Sequence, residues 1–161
     1  MKIGIVSDSH EKIENIKKAV GIFNERKVEF VFGLGDYISP PSVRAFKGVK
    51  LIGVFGNNDG ETLGLIKAFN DIGGELLGDF GEVEKGGLKF ALYHGTSEAI
   101  QDALIKSGKY DVVLCGHTHE AKKEQVGKTL FINPGSANGF GGEATIAVFD
   151  TSTKDVEFIK L

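Results

Sequence analysis

The chain has 161 residues, of which 41% are hydrophobic and 25% charged, so it fits one globular domain over residues 1–161 and is not a disordered, collagen-like or coiled-coil protein. Its 19 basic and 22 acidic residues give a net charge of -3 without a dense Lys/Arg block, which argues against bulk electrostatic binding to nucleic acid. The single cysteine, Cys115, excludes an internal disulfide, and the lack of a long apolar stretch or signal-peptide core predicts a cytoplasmic protein without a membrane segment.

The first half of the chain alternates short apolar runs with amphipathic segments, which predicts strands and helices in turn. Strands are expected at residues 2–6, 30–34, 51–55, 81–85, 88–93 and 110–115, and helices from residue 13 onward, at 63–69 and at 98–106. The last third carries short strand patterns at 124–126, 130–133, 144–149 and 156–159 and no convincing helix. An α/β half followed by a β-rich half indicates right-handed crossovers and a parallel central sheet.

Histidine, acidic and amide residues stand where the predicted strands end. The residues at or just after such ends are Asp8, His10, Asp36, Asn57, Asn58, Asp59, His94, His117 and His119, which include all four histidines of the chain. Because the carboxyl ends of parallel strands share one edge of a sheet, we expect these side chains to converge there.

This combination of side chains is a ligand set for metal ions. Imidazole together with carboxylate suits Mn, Fe, Co, Ni or Zn, whereas Mg or Ca favours oxygen ligands alone. The candidates are too many for one ion, and two ions about 3.5–4 Å apart can clamp the attacking and leaving oxygens of a phosphoryl displacement. The sequence therefore predicts phosphate ester hydrolysis at two divalent ions, with manganese as the first choice and Ni, Fe, Co or Zn as alternatives.

Five short motifs in chain order resemble those of the calcineurin-like metallophosphoesterases. They are Asp8-Ser9-His10 for the D-x-H block, Gly35-Asp36 for GD, Gly56-Asn57-Asn58-Asp59 for GNH[DE], His94-Gly95 for the lone-His block and Gly116-His117-Thr118-His119 for GHxH. The short chain and the sequence 132–136 further resemble the YfcE-type small phosphodiesterase branch. Each block alone is weak, but five in order are specific.

The resemblance implies a four-layer αββα sandwich and assigns a role to each residue. One ion would be held by Asp8, His10, Asp36 and His119, and the other by Asp36, Asn57, His94 and His117, with Asp36 bridging the two. A hydroxide bridging the ions would attack phosphorus in line, so no protein nucleophile is required. The loop 133–136 is expected to pack beside this site.

Two positions depart from the family pattern. Asn58 stands where the family carries the histidine often assigned as general acid, and an amide donates a hydrogen bond but does not transfer a proton near neutral pH. We therefore predict a preference for leaving groups of low pKa, such as aryl groups, over simple alkoxides. Thr96 replaces the second histidine of an HGH motif, which leaves phosphate contacts in that loop open.

Each motif by itself also has a structural interpretation. Asp8 and Ser9 are typical helix N-cap residues, and residues 58–60 suit a tight turn. His94 alone could be a hydrogen-bonded structural histidine, and residues 117–119 a solvated loop. The joint occurrence of the motifs favours the metal site.

The predicted function is that of a dinuclear metal-dependent phosphodiesterase acting on small phosphodiesters or nucleotides. The alternatives are a phosphomonoesterase or nucleotidase, and a non-catalytic protein-interaction scaffold on the same fold. An apolar strand edge or a Phe-rich surface could support a homodimer. Cys115 is expected to be a small buried hydrophobic residue, and Phe140, in a glycine-rich loop, could stack on a substrate, cover a partner surface or be disordered.

Overall fold

A computed structural model of the chain describes residues 1–140 and 142–161. The helices are α1 (Ile13–Glu25), α2 (Pro40–Arg44), α3 (Thr62–Asp71) and α4 (Glu98–Lys106). The strands are β1 (Lys2–Val6), β2 (Phe30–Gly33), β3 (Leu51–Gly53), β4 (Glu75–Leu76), β5 (Phe80–Lys85), β6 (Leu88–Tyr93), β7 (Val112–Leu114), β8 (Ala121–Val126), β9 (Thr129–Pro134), β10 (Thr145–Asp150) and β11 (Val156–Lys160). Within residues 1–140 and 142–161, no helix is long and apolar enough to cross a membrane.

The strands form two sheets. The first has the order β11-β10-β1-β2-β3-β4, in which β1 to β4 run parallel and the last two strands of the chain add antiparallel at one edge. The second has the order β5-β6-β7-β9-β8, with a parallel centre of β6, β7 and β9 and an antiparallel strand at each edge. Both sheets are therefore mixed, and both have a parallel centre.

Three apolar clusters separate four layers. The first cluster packs the faces of α1, α2 and α3 that carry Phe23, Val43 and Phe69 against the first sheet. The second lies between the two sheets, where Phe32 of one sheet contacts Phe90 of the other edge to face at 5.3 Å between ring centroids. The third covers the outer face of the second sheet with Ile105 of α4. The order of layers is thus helix, sheet, sheet, helix, and the predicted αββα sandwich is confirmed.

The structure adds elements that the hydrophobic pattern did not indicate. Helix α2 follows Ser39 and begins with Pro40 and Pro41, which suit the first turn of a helix because its N–H groups have no intrahelical acceptor. Strand β4 is only two residues long and pairs with β3. The apolar run 51–55 was predicted as one strand, but β3 ends at Gly53 and the remainder leads into a loop. The strand and helix pattern predicted a parallel central sheet, and the structure has one such parallel centre in each of two sheets, because β5 to β9 build the second sheet.

Candidate metal centre

The predicted ligands converge at the carboxyl ends of five strands drawn from both sheets. The loop after β1 carries Asp8 and His10, the loop after β2 carries Asp36, and residues 57–59 follow β3. From the second sheet, His94 follows β6 at once, and the loop after β7 carries His117 and His119. The two sheets pack face to face, so their parallel strands deliver these side chains to one place.

The loops of this site have an unusual backbone. Left-handed backbone geometry is unfavourable for residues with a Cβ and costs about 1–3 kcal/mol each, so it is expected only where the surroundings enforce it. Within the described ranges nine non-glycine residues have positive φ, and seven of them belong to these loops: Asp8, His10, Glu11, Asp36, Ile38, His117 and His119. Concentration of this strain in the ligand loops marks the site as functional.

Asp8 is fully buried and is surrounded by the histidines. Its Oδ1 lies 3.1 Å from His119 Nε2, 3.8 Å from His10 Nε2 and 3.9 Å from His94 Nε2. Its Oδ2 accepts a hydrogen bond of 3.0 Å from the backbone N–H of His117. A Cβ on Gly116 would lie 2.7 Å from this oxygen, so only glycine lets the β7 loop approach so closely.

Asp36 lies between two imidazoles. Its Oδ2 is 3.2 Å from His10 Nε2, and its Oδ1 is 3.5 Å from His94 Nε2. Asn58 holds the same carboxylate by donating from its backbone N–H at 2.9 Å and from its side-chain Nδ2 at 2.8 Å. Burial alone would raise the pKa of Asp36, but the nearby imidazole of His94 and the hydrogen bonds from Asn58 outweigh it and hold the pKa well below the usual range. The carboxylate is therefore ionised and available to a cation.

His94 is oriented by the backbone directly after β2. Its Nδ1 lies 2.6 Å from the carbonyl oxygen of Leu34, and a carbonyl only accepts, so Nδ1 carries the proton. Its Nε2 consequently faces the buried carboxylates of Asp8 and Asp36. Burial alone lowers the pKa of His94, but these two carboxylates outweigh it and raise the pKa above its ordinary value. The ring is fixed in the orientation that a metal-ligating histidine requires.

Two buried nitrogens at this site have no hydrogen-bond partner among the described residues, namely His10 Nε2 and His94 Nε2. Both point toward carboxylates that carry negative charge. A neutral imidazole would set its lone pair against these oxygens, which is unfavourable in a buried site unless a cation lies between them. The residues therefore fit divalent metal ions. Two ligand groups share Asp8: one with His10 and His119, the other with Asp36 and His94.

The remaining predicted ligands lie at the margin of this cluster. The ring of His117 packs edge to face on His94 at 5.2 Å between centroids, which puts it beside the second group. Asn57 is exposed on the loop after β3. Asn58, also exposed, is bonded to Asp36 as described above. The structure thus brings five predicted ligands into direct proximity and leaves Asn57 as the outermost.

Asp59 is a structural part of the site that motif matching did not single out as a site residue. Its Oδ2 accepts from the backbone N–H groups of Asp36 and Gly56, and its Oδ1 accepts from that of Ile38, each at 2.8 Å. Burial raises the pKa of Asp59, and these three hydrogen bonds oppose that rise. The carboxylate ties the loop after β3 to the loop that carries Asp36. Its place as the acidic residue that closes the Gly56-Asn57-Asn58-Asp59 block is the sequence signal that could have found it.

The end of β9 and the loop after it pack beside the site. Ser136 Oγ, in the loop, donates to the carbonyl oxygen of Asp8 at 3.0 Å, and Asn133 Nδ2, at the end of β9, donates to that of Gly116 at 2.7 Å. These two bonds hold the ligand loops of both sheets in position. Cys115 is fully buried in the cluster under α4, and burial raises the pKa of its thiol.

Comparisons with known proteins agree with this architecture. The family model of the calcineurin-like phosphoesterase superfamily domain matches residues 1–154. The chain is 43% identical over 165 residues to Phosphodiesterase MJ0936 of Methanocaldococcus jannaschii, with 100% of this chain and 99% of that relative covered. A solved structure described as a novel archaeal phosphodiesterase superposes with a TM-score of 0.95 at 42% identity and covers 100% of both chains. The phosphoesterase Yfce from E. coli superposes with a TM-score of 0.72 at 20% identity, covering 99% of this chain and 98% of the other, which shows a shared fold.

These similarities decide several of the predictions. The resemblance to calcineurin-like metallophosphoesterases is confirmed, and so is the prediction of a metallophosphoesterase enzyme. The resemblance to the YfcE-type branch is confirmed at the level of the fold. Divalent metal ions are the cofactors that the family implies, and the ligand groups around Asp8 fit them. The chain belongs to the calcineurin-like phosphoesterase superfamily.

Proposed function

We propose that this protein, a single domain over residues 1–161, is a dinuclear metal-dependent phosphodiesterase that hydrolyses small phosphodiesters. The observation that carries the proposal is a pair of buried nitrogens, His10 Nε2 and His94 Nε2, on either side of Asp36. Neither has a hydrogen-bond partner among the described residues. One carboxylate between two such nitrogens suits a bridging ligand of two ions. The similarity to a phosphodiesterase at 43% identity supports the class of ester.

One ion would be held by Asp8, His10, Asp36 and His119, and the other by Asp36, Asn57, His94 and His117. The contacts of Asp8 and Asp36 with His10, His94 and His119 support the inner ligands. The half-buried His117, which packs on His94, and the exposed Asn57 would complete the second set. Manganese is our first choice, because a mixed imidazole and carboxylate set suits the intermediate divalent ions.

When bound, two divalent ions supply Lewis acidity that lowers the pKa of water and offsets the negative charge of the phosphodiester. The protein residues supply orientation. The Leu34 carbonyl keeps the proton of His94 on Nδ1, and Asp59 keeps the Asp36 loop in position. These are the contacts that pre-organise the ligands before any substrate arrives.

Asn58 would act on the substrate as a hydrogen-bond donor. Its amide nitrogen carries two hydrogens, and the bond to Asp36 Oδ2 uses one of them. The other N–H is available to a phosphate oxygen. Because the amide does not transfer a proton near neutral pH, the leaving group must depart without a general acid at this position. This supports a preference for aryl and other low-pKa leaving groups.

A cavity next to the site has the size for a small substrate. It measures about 420 Å³ and is lined by Gly95, Thr96, Glu98, Gln101, His117 and Thr118. Ligand pockets of small molecules have volumes of about 300–1,000 Å³. A cleft of this volume has room for both ester groups of a small phosphodiester.

The test compares bis(4-nitrophenyl) phosphate with 4-nitrophenyl phosphate, using metal-stripped protein before and after addition of Mn²⁺, with a chelator control. We expect manganese-dependent cleavage that favours the diester. Asp36→Asn should abolish it, because the substitution removes the bridging charge. Asp155→Asn is the matched control, since Asp155 is exposed in the turn before β11, at the opposite end of the strands.

Each other outcome points elsewhere. Preference for the monoester would retain the metals and change the function to that of a phosphomonoesterase. If no Mn²⁺ binds and neither ester is cleaved, catalysis is refuted, and a non-catalytic scaffold on this fold becomes the better hypothesis. Full activity in Asp36→Asn would refute the ligand assignment.

A further inference from the structure

Phe140 is an exposed aromatic residue at the edge of the metal centre. Its side chain is 54% exposed, yet its ring lies 5.1 Å from the ring of His10 and 6.2 Å from that of His119, measured between centroids. The planes of Phe140 and His119 are 22° apart, so these rings are stacked, while His10 meets the phenyl ring edge to face at 84°. The phenyl ring therefore borders the ligand group of Asp8, His10 and His119.

The loop that carries Phe140 is tied to the loop of the ligands. Asn138 donates from its backbone N–H to the carbonyl oxygen of Asp8 at 3.1 Å, and from its side chain to that of His10 at 3.3 Å. Ala137 donates to the carbonyl oxygen of Ser7 at 2.9 Å. These bonds hold the base of the loop in register with β1. The position of Phe140 relative to His10 is accordingly set by the same backbone that positions the ligands.

Core packing does not account for this residue. Phe140 is absent from the three buried clusters, and more than half of its surface faces solvent. Exposing a phenyl group forgoes the stabilisation that burial of a side chain of this size brings. An aromatic platform beside a phosphate ester site can recover that loss when a planar group of the substrate stacks on it. Stacking of a nucleobase on an aromatic side chain is favourable and tolerates any base, because every base has a π-face.

We propose that Phe140 is a substrate-binding residue that stacks on the nucleobase of a nucleoside phosphodiester, and so makes nucleoside esters the preferred substrate class. The inference rests on the proposed function, because it concerns the substrate of that same site. The ring stands next to the ligands of one ion only, so it would contact one of the two ester groups. Its effect should appear for substrates whose ester group carries a base and be small for those without one.

The experiment uses two diesters with the same leaving group, thymidine 5′-(4-nitrophenyl phosphate) and methyl 4-nitrophenyl phosphate. They differ in the presence of a nucleoside, so the ratio of their kcat/KM values isolates its contribution. We expect Phe140→Ala to lower this ratio about tenfold, mainly through KM, and Phe140→Tyr to keep it within about twofold because the aromatic face is retained. Bound Mn²⁺ per chain, measured by atomic absorption, should be unchanged in both variants.

The controls separate this role from others. If Phe140→Ala lowers kcat/KM equally for both diesters, or loses Mn²⁺, then Phe140 only supports His10 and His119, and the proposal is refuted. If Phe140→Ala keeps the wild-type ratio of the two kcat/KM values, the stacking role of Phe140 is also refuted, although the proposed phosphodiesterase function would stand. Wild-type protein that cleaves neither diester with Mn²⁺ would overturn both.

Discussion

Replacing Asp59 with asparagine tests whether its buried carboxylate holds the loop of Asp36 in position at the candidate metal centre. The two oxygens of Asp59 accept three backbone N–H groups, from Asp36, Gly56 and Ile38, each at 2.8 Å. Asparagine has nearly the same shape but offers a single oxygen. If that oxygen keeps the bonds to Asp36 and Gly56, the amide NH₂ faces the N–H of Ile38, and two donors meet.

The magnitude follows from the lost bond. A buried N–H without an acceptor costs about 1–3 kcal/mol, and the two retained bonds weaken because their acceptor loses its charge. Removal of a buried charge offsets part of this, since burial opposes ionisation of Asp59. We expect Asp59→Asn to lower the free energy of unfolding by about 2 kcal/mol, which for a chain of this size corresponds to about 4–8 °C in Tm.

The effect on the site follows from the same geometry. The N–H of Asp36 is one of the groups released, so the carboxylate between His10 and His94 loses part of its support. Loss of such outer contacts typically costs 10–100-fold in metal affinity, and we expect a decrease in Mn²⁺ affinity in that range. Thermal unfolding of the metal-free protein and Mn²⁺ titration measure the two effects separately. Asp155→Asn is the control, and an Asp59→Asn protein with the Tm and Mn²⁺ affinity of that control would refute this argument.

Three further predictions follow from other parts of the molecule. Lys27 has φ 56° at the end of α1, where its N–H and that of Val28 bond to the carbonyls of Asn24 and Phe23, and this left-handed position favours glycine. Lys27→Gly should therefore raise the free energy of unfolding by about 0.5–1 kcal/mol, whereas Lys17→Gly, at an exposed position inside α1, should lower it by about 1 kcal/mol. If chemical denaturation shows that both variants lose stability equally, the left-handed conformation of Lys27 is contradicted. The Cys115 thiol is buried, which blocks access of reagents and raises its pKa, so native protein at pH 8 should resist iodoacetamide and react only when unfolded. Rapid labelling of the native protein, detected by mass spectrometry, would contradict this packing. Asn58→His introduces an imidazole that can transfer a proton, which matters most for a dinucleoside monophosphate, whose leaving group is an alkoxide. The ratio of its cleavage rate to that of bis(4-nitrophenyl) phosphate should rise about tenfold or more. An unchanged ratio would show that no proton donor is missing at this position.

The charge distribution of the site favours a bound cation. Asp8 and Asp36 are almost fully buried and lie within 4 Å of three imidazoles. Without an ion, the buried carboxylates favour the protonated form of His94, which is why its pKa is raised above the ordinary value. A divalent ion offsets the charge of the same carboxylates without a proton, so metal binding and stability should rise together.

The local pattern of the chain was sufficient for much of the structure. Apolar runs that stop at polar residues predicted β1, β2, β6 and β7, because a buried strand must be apolar and its end must return to solvent. The same stops identified Asp8, Asp36, His94 and the histidine pair after β7 as candidate ligands. Helices α1, α3 and α4 followed from apolar residues at helical spacing, and their ends differ from prediction by only a few residues.

Packing between distant segments decided the rest. That β6 and β7 belong to a second sheet, and that this sheet lies face to face with the first, depends on contacts such as Phe32 with Phe90, which no local pattern records. Only this packing puts His94 Nε2 beside Asp36 and exposes Phe140 next to His10. Sequence alone therefore determined which side chains are candidates for the chemistry, since residue type and strand ends are local properties. The tertiary structure decided which of them meet, because the distances between loops from different sheets are set by the whole core.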